Sequence, residues 1–118
     1  MNIENLISKI VEDKEEKGDY DSCASEMNVE LPQLFNLVSI RIAENFMSGE
    51  LSYTDADFAM NGVWPVMLDY IMKNDIPLVE PCYAIYEAFD QGEYDHKDGS
   101  DPVEKHTKPL LIEVLANA

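Results

Sequence analysis

Apolar residues along this chain recur at intervals of three and four, the spacing of one face of an α-helix, and no strand-like pattern extends beyond four residues. Ile3, Leu6, Ile7, Ile10 and Val11 predict a first helix from about Asn2, which can cap it, to about Glu16, with Gly18 as its stop. Asp19 to Glu30 is polar and acidic with little period, and is expected to be a connector holding at most one short turn of helix. Pro32 suits the first turn of a second helix, whose stripe is Leu31, Leu34, Phe35, Val38, Ile42 and Phe46 and which Gly49 ends. Thr54 followed by Asp57 is close to a capping box, so a third helix should start there and run through Phe58, Ala59, Val63, Met67, Leu68 and Ile71 to Asn74. Proline removes a backbone donor and clashes with the preceding turn, so a kink or break is expected near Gly62–Pro65. Ile76-Pro77 should be extended. Pro81 opens a short helix carrying Tyr83, Ile85, Tyr86, Ala88 and Phe89 up to Gly92, and Glu93–Asp101 is a charged loop. Asp101-Pro102 starts a further turn, and Thr107 with Pro109 begins a final helix bearing Leu110, Leu111, Val114 and Leu115. The expectation is one all-α domain over 1–118, a compact bundle of five to six helices.

Charge adds what periodicity omits. There are 24 acidic residues against 8 basic ones, net −16 over 118 residues. With 46 % hydrophobic residues grouped in periodic segments, this predicts a folded domain with an acidic surface rather than a disordered tail. The eight cations are dispersed and form no basic stripe, which disfavours binding to nucleic acid and to anionic membranes. Met1–Lys17 has neither the basic start nor the continuous apolar run of a signal peptide, and uncharged stretches such as Phe58–Leu68 are too short to span a bilayer. A soluble cytoplasmic protein with reduced cysteines follows, and Cys23 and Cys82 are expected as buried thiols.

Motifs for chemistry are absent. Counting an EF-hand register from Gly99 or from Gly92 places the wrong residues at the ligand positions. His96, His106, Cys23 and Cys82 lack the close pairing of zinc ligands, and serine-hydrolase, phosphate-loop and dinucleotide patterns are missing. Carboxylates are so numerous that no pair singles itself out for acid–base work. No catalytic, cofactor or metal residue is assigned, and an enzyme is not expected. Acidity concentrates instead between Glu87 and Glu104, where seven carboxylates meet one cation, Lys97, and are interleaved with aromatics. Aromatics bordered by charges have the composition of an interface anchor with a polar rim. The candidate partner-binding residues are Tyr83, Tyr86, Glu87, Asp90, Glu93, Tyr94, Asp95, Asp98 and Asp101. Tyr94 has two readings, an interface anchor or a staple folding the loop onto the core. Trp64, beside a proline in an apolar stretch, is expected in the core. Glu50, Tyr53, Asp55 and Asp57 form a second, lower-ranked patch, because carboxylates favour a helix N-terminus anyway.

The small acidic helical domain and the segment Ala88-Phe89-Asp90-Gln91-Gly92-Glu93-Tyr94-Asp95-His96 resemble the immunity proteins that protect bacteria from their own toxin domains, those of colicin and contact-dependent inhibition systems among them. The resemblance implies a protein that neutralises a cognate, basic toxin domain, often a nuclease, through acidic residues and tyrosines. The Tyr-Tyr-Pro helix start of the nuclease-colicin immunity proteins is missing, so no individual residue is carried over from them. The competing readings are an acidic helical adaptor or nucleic-acid mimic, and a carboxylate-based metal-binding protein or enzyme.

Overall fold

Each helix begins where a side chain or a proline satisfies the free end of its backbone. The computed structural model describes residues 1–118, and in it the Asn5 N–H donates to Asn2 Oδ1 at 2.8 Å to open α1, Ile3–Val11. This helix stops five residues before Glu16, where Asp13 turns the chain with a left-handed φ of 58°. The segment expected to be a connector is a helix, α2, Lys17–Met27. Its start is a reciprocal capping box in which Glu16 and Asp19 each bond the other's backbone, the Glu16 N–H reaching Asp19 Oδ2 at 2.8 Å. Gly18 therefore lies inside the first turn of α2 and does not terminate α1. Only Tyr20, Cys23 and Ala24 of α2 are buried, a stripe too thin to stand out among its acids.

The next helix, α3, spans Leu31–Met47 with Pro32 in its first turn. It is followed by the longest, α4, Tyr53–Asn74, capped by Ser52, whose Oγ accepts from the Asp55 N–H at 3.1 Å. The capping pair is thus Ser52 and Asp55, two residues earlier than Thr54 and Asp57. Of the kink or break expected near Gly62–Pro65, the break does not occur: α4 runs as one helix through both residues. Pro65 is exposed, while Met60, Val63, Met67 and Ile71 are buried. Burying each contributes about 1.5–3 kcal/mol, together more than the ~3 kcal/mol an interior proline costs. Gly62 serves close packing, since a Cβ there would lie 3.0 Å from Ile10 Cγ2 on α1.

Helix α5, Cys82–Gln91, follows Pro81 and ends at Gly92; a π-helical turn over Val103–Thr107 then leads into α6, Lys108–Ala116. The protein is all-α, a bundle of six helices. At its centre α3, α4 and α5 pack on one another, and their side chains, with Leu6 and Ile10 of α1 and Leu111 of α6, make one core. Cys23 and Cys82 are buried free thiols, and the buried Ser39 hydroxyl bonds the Phe35 carbonyl at 2.7 Å beside Cys82 Sγ at 2.9 Å. No helix is long and apolar enough to cross a membrane.

Candidate partner-binding surface

Where α4 meets α5, three rings line the surface. Tyr83 and Tyr86, three apart on α5, lie on the same side of it. Trp64 of α4 stacks on Tyr86 at 4.6 Å between ring centres with 12° between planes, and meets Tyr83 at 5.5 Å. Trp64 is only half-buried, which corrects its expected place in the core. The reason is helical phase: Val63 and Met67 occupy the inward face of α4, and Trp64 falls at its edge, toward α5. Phe58, 46 % exposed, lies on another side of α4, about 120° around the helix from Trp64.

Carboxylates border these rings. Asp57 lies two turns before Trp64 on α4, and Asp90 and Glu93 stand at the end of α5. The Asp57 carboxyl is pushed up to about 7, first by burial, then by the charge of Glu93, by a hydrogen bond with it, and by Asp90. The Tyr86 hydroxyl is raised by burial and then by Asp90, Glu93 and Asp57, so it stays a neutral donor. Tyr83 is raised chiefly by its hydrogen bond with Glu87. Tyr53 donates to the Phe89 carbonyl at 2.6 Å behind the cluster and is raised by burial and by the same three acids.

Of the nine predicted residues, the structure brings Tyr83, Tyr86, Glu87, Asp90 and Glu93 together on or beside α5. Asp95, Asp98 and Asp101 do a different job, each folding the loop by accepting from a backbone N–H two residues on: Lys97 at 2.8 Å, Ser100 at 3.0 Å and Val103 at 3.0 Å. Asp98 also accepts from Lys105 Nζ at 2.7 Å and from Ser100 Oγ, and these partners hold its carboxyl well below the usual carboxylate range. Tyr94 is 48 % exposed, donates to Gln91 Oε1 at 3.0 Å, and stacks on His96 at 4.4 Å. His96 in turn lies 3.8 Å from the His106 ring and donates through Nε2 to the Gln91 carbonyl at 2.8 Å. Tyr94 is thus held by the loop's own imidazole while presenting half its surface to solvent.

Two contributors were not among the predicted nine: Asp57 and Trp64. The i, i+7 spacing of Asp57 and Trp64 was a usable signal, because it places both on one side of α4. No group of three or more His, Cys, Asp or Glu side chains is placed to hold a metal ion. The surface is open, and no cleft of the molecule is lined by Trp64 or Tyr86. No protein-family model, no curated protein and no solved structure matches this chain.

Proposed function

We propose that this chain is an immunity or inhibitor protein that binds and neutralises a basic toxin domain through the aromatic and acidic surface of α4 and α5. One observation carries the reading: the half-exposed Trp64–Tyr86 stack is bordered by Asp57, Asp90 and Glu93, carboxylates crowded enough that Asp57 holds a proton near neutral pH. A cation from a partner would relieve that repulsion, and stacked rings beside it would supply the desolvated contact that slows dissociation. A toxin site that binds phosphates presents lysines and arginines, so these carboxylates imitate its substrate's field.

The test is protection. Reading frames flanking this gene are expressed one at a time in a host, with and without this chain, and survival is counted. One of them should be toxic alone and harmless with the chain present. Tyr86→Ala combined with Glu93→Gln should abolish protection, whereas Asp95→Asn, on the loop-folding side, should preserve it. Toxicity undiminished by the wild-type chain, or protection undiminished in the double variant, would overturn the proposal.

A further inference from the structure

Helices α5 and α6 pack side by side and leave a furrow along their seam. Two clefts make it up, of about 340 Å³ and 430 Å³, and they meet at Glu80, Ala84 and Val114. Its apolar surface comes from side chains that still face solvent: Ala84 and Val114 are half-buried, and Leu110 is 38 % exposed. Helical phase lines them up with the acids beside them. Ala84 and Glu87 lie three apart on α5, and Leu110 lies three and four residues before Glu113 and Val114 on α6.

The furrow carries charge of one sign. Glu80, Glu87 and Glu113 line it, all three exposed, and no Lys, Arg or His does. Glu80 folds over the first turn of α5, its Oε1 accepting from the Ala84 N–H at 2.9 Å. None of the three carboxylates has a cation within ion-pair distance. The other clefts of the molecule differ in this. Those beside α2 include Lys17, and in the one beside α1 Glu4 pairs with Arg41 and Glu12 with Lys14. Only along α5 and α6 do exposed apolar side chains share a cleft with carboxylates that are all unpaired.

We propose that the α5–α6 furrow docks a basic amphipathic helix of another protein, its apolar ridge on Ala84, Leu110 and Val114 and its lysines or arginines at Glu80, Glu87 and Glu113. A helix satisfies its own backbone, whereas an extended segment would find no sheet edge to pair with in this all-α protein. Both features of the occupant are needed. Exposed ion pairs add little affinity, so the carboxylates select the sign of charge and the orientation, while burial of the apolar ridge holds the helix. A second copy of this chain is a poor occupant, since a net charge of −16 repels itself and the eight dispersed cations form no basic stripe. The proposal does not rest on the immunity reading: Glu80, Leu110, Glu113 and Val114 lie outside the surface assigned to a toxin.

The probe is a synthetic peptide of about 18 residues, long enough to be helical, with leucine at every third or fourth position and lysine and alanine between. A scrambled peptide of the same composition keeps the charge without the ridge, and a glutamate-for-lysine peptide keeps the ridge with the opposite charge. Amide chemical shifts are followed at about 0.15 M NaCl, where attraction is screened beyond about 8 Å. The lysine peptide should saturate with shifts confined to residues 80–91 and 110–118, and bind at least about tenfold more tightly than either comparator. Ala84→Arg, which fills the seam and adds a cation, should weaken it by about tenfold or more. Glu80→Gln with Glu113→Gln should weaken it by about fivefold and serves alone if Ala84→Arg disturbs folding. Asp21→Asn with Asp75→Asn, an equal change of charge at exposed positions elsewhere, should leave binding unchanged. Tyr86→Ala with Glu93→Gln should leave it unchanged too, which separates the furrow from the toxin surface. No saturation by ~1 mM peptide, shifts spread over the whole acidic surface, equal binding of the scrambled peptide, or undiminished binding in the glutamate pair would each overturn the proposal.

Discussion

Asp57 is where sequence and environment disagree most. Its carboxyl, ordinarily near 3.8, lies near 7 because it is part-buried beside Glu93 and Asp90. The folded chain therefore holds this proton more tightly than the unfolded chain does, and stability should rise as pH falls from about 7 to about 4. Above about 7 the ionised group opposes folding. Taken at full strength, the rise in pKa corresponds to about 4 kcal/mol, which solvent screening of a part-exposed group reduces to about 1 kcal/mol. Asp57→Asn should therefore stabilise the protein by about 1 kcal/mol at pH 8 and by nothing at pH 4, as measured by urea unfolding across that range. None of this was legible in sequence, where Asp57 resembles any acid in a first helical turn and Glu93 is a distant loop residue. Tyr83 and Tyr86 were legible because three-residue spacing fixes which side of α5 they share. Trp64 was misplaced for a related reason: an apolar stretch does not reveal which residue sits at the edge of the buried face.

At the scale of elements, helix boundaries followed local chemistry that sequence shows well, such as Asn2, Pro32, Pro81 and Gly92. Helix α2 was missed because its stability comes from a reciprocal acidic capping box and three buried side chains rather than from a broad apolar stripe. Helix α4 exceeded expectation because packing outweighs proline. Its exposed Pro65 still deprives one carbonyl of a donor, so Pro65→Ala should raise stability by about 1–3 kcal/mol. The shift in denaturation midpoint at unchanged slope measures it. Gly92, after α5, is needed for close approach rather than for conformation, its φ being −82°. A Cβ there would lie 2.5 Å from Thr107 Oγ1 and 2.7 Å from the Tyr53 hydroxyl. Those two groups bond the Ala88 and Phe89 carbonyls at 2.7 and 2.6 Å, tying the π-helical turn and α4 to the end of α5. Gly92→Ala should cost about 2–3 kcal/mol by displacing one or both, measurable as a fall in urea midpoint.

For the whole molecule, the decisive quantity is an excess of 16 negative charges that local pairing does not remove. Most cations are already engaged: Arg41 with Glu4, Lys9 with Asp19, Lys73 with Asp69, Lys105 with Asp98 and Lys108 with Glu104. Exposed pairs of this kind contribute about 0–1 kcal/mol each, so the remaining carboxylates repel one another across the surface. That repulsion acts over about 30 Å at 0.01 M salt but only about 8 Å at 0.15 M. Added salt should therefore stabilise the fold, opposite to its effect on a protein held together by surface ion pairs. The midpoint of thermal unfolding should rise by about 3–8 °C between 0.01 and 0.15 M NaCl, equivalent to about 1–2 kcal/mol for a chain of this size. Potassium chloride should act as sodium chloride does, because screening depends on ionic strength and not on ion identity. A midpoint that falls with salt would mean that the surface ion pairs dominate, and the α4–α5 acids would then lack the uncompensated field on which attraction of a basic partner depends.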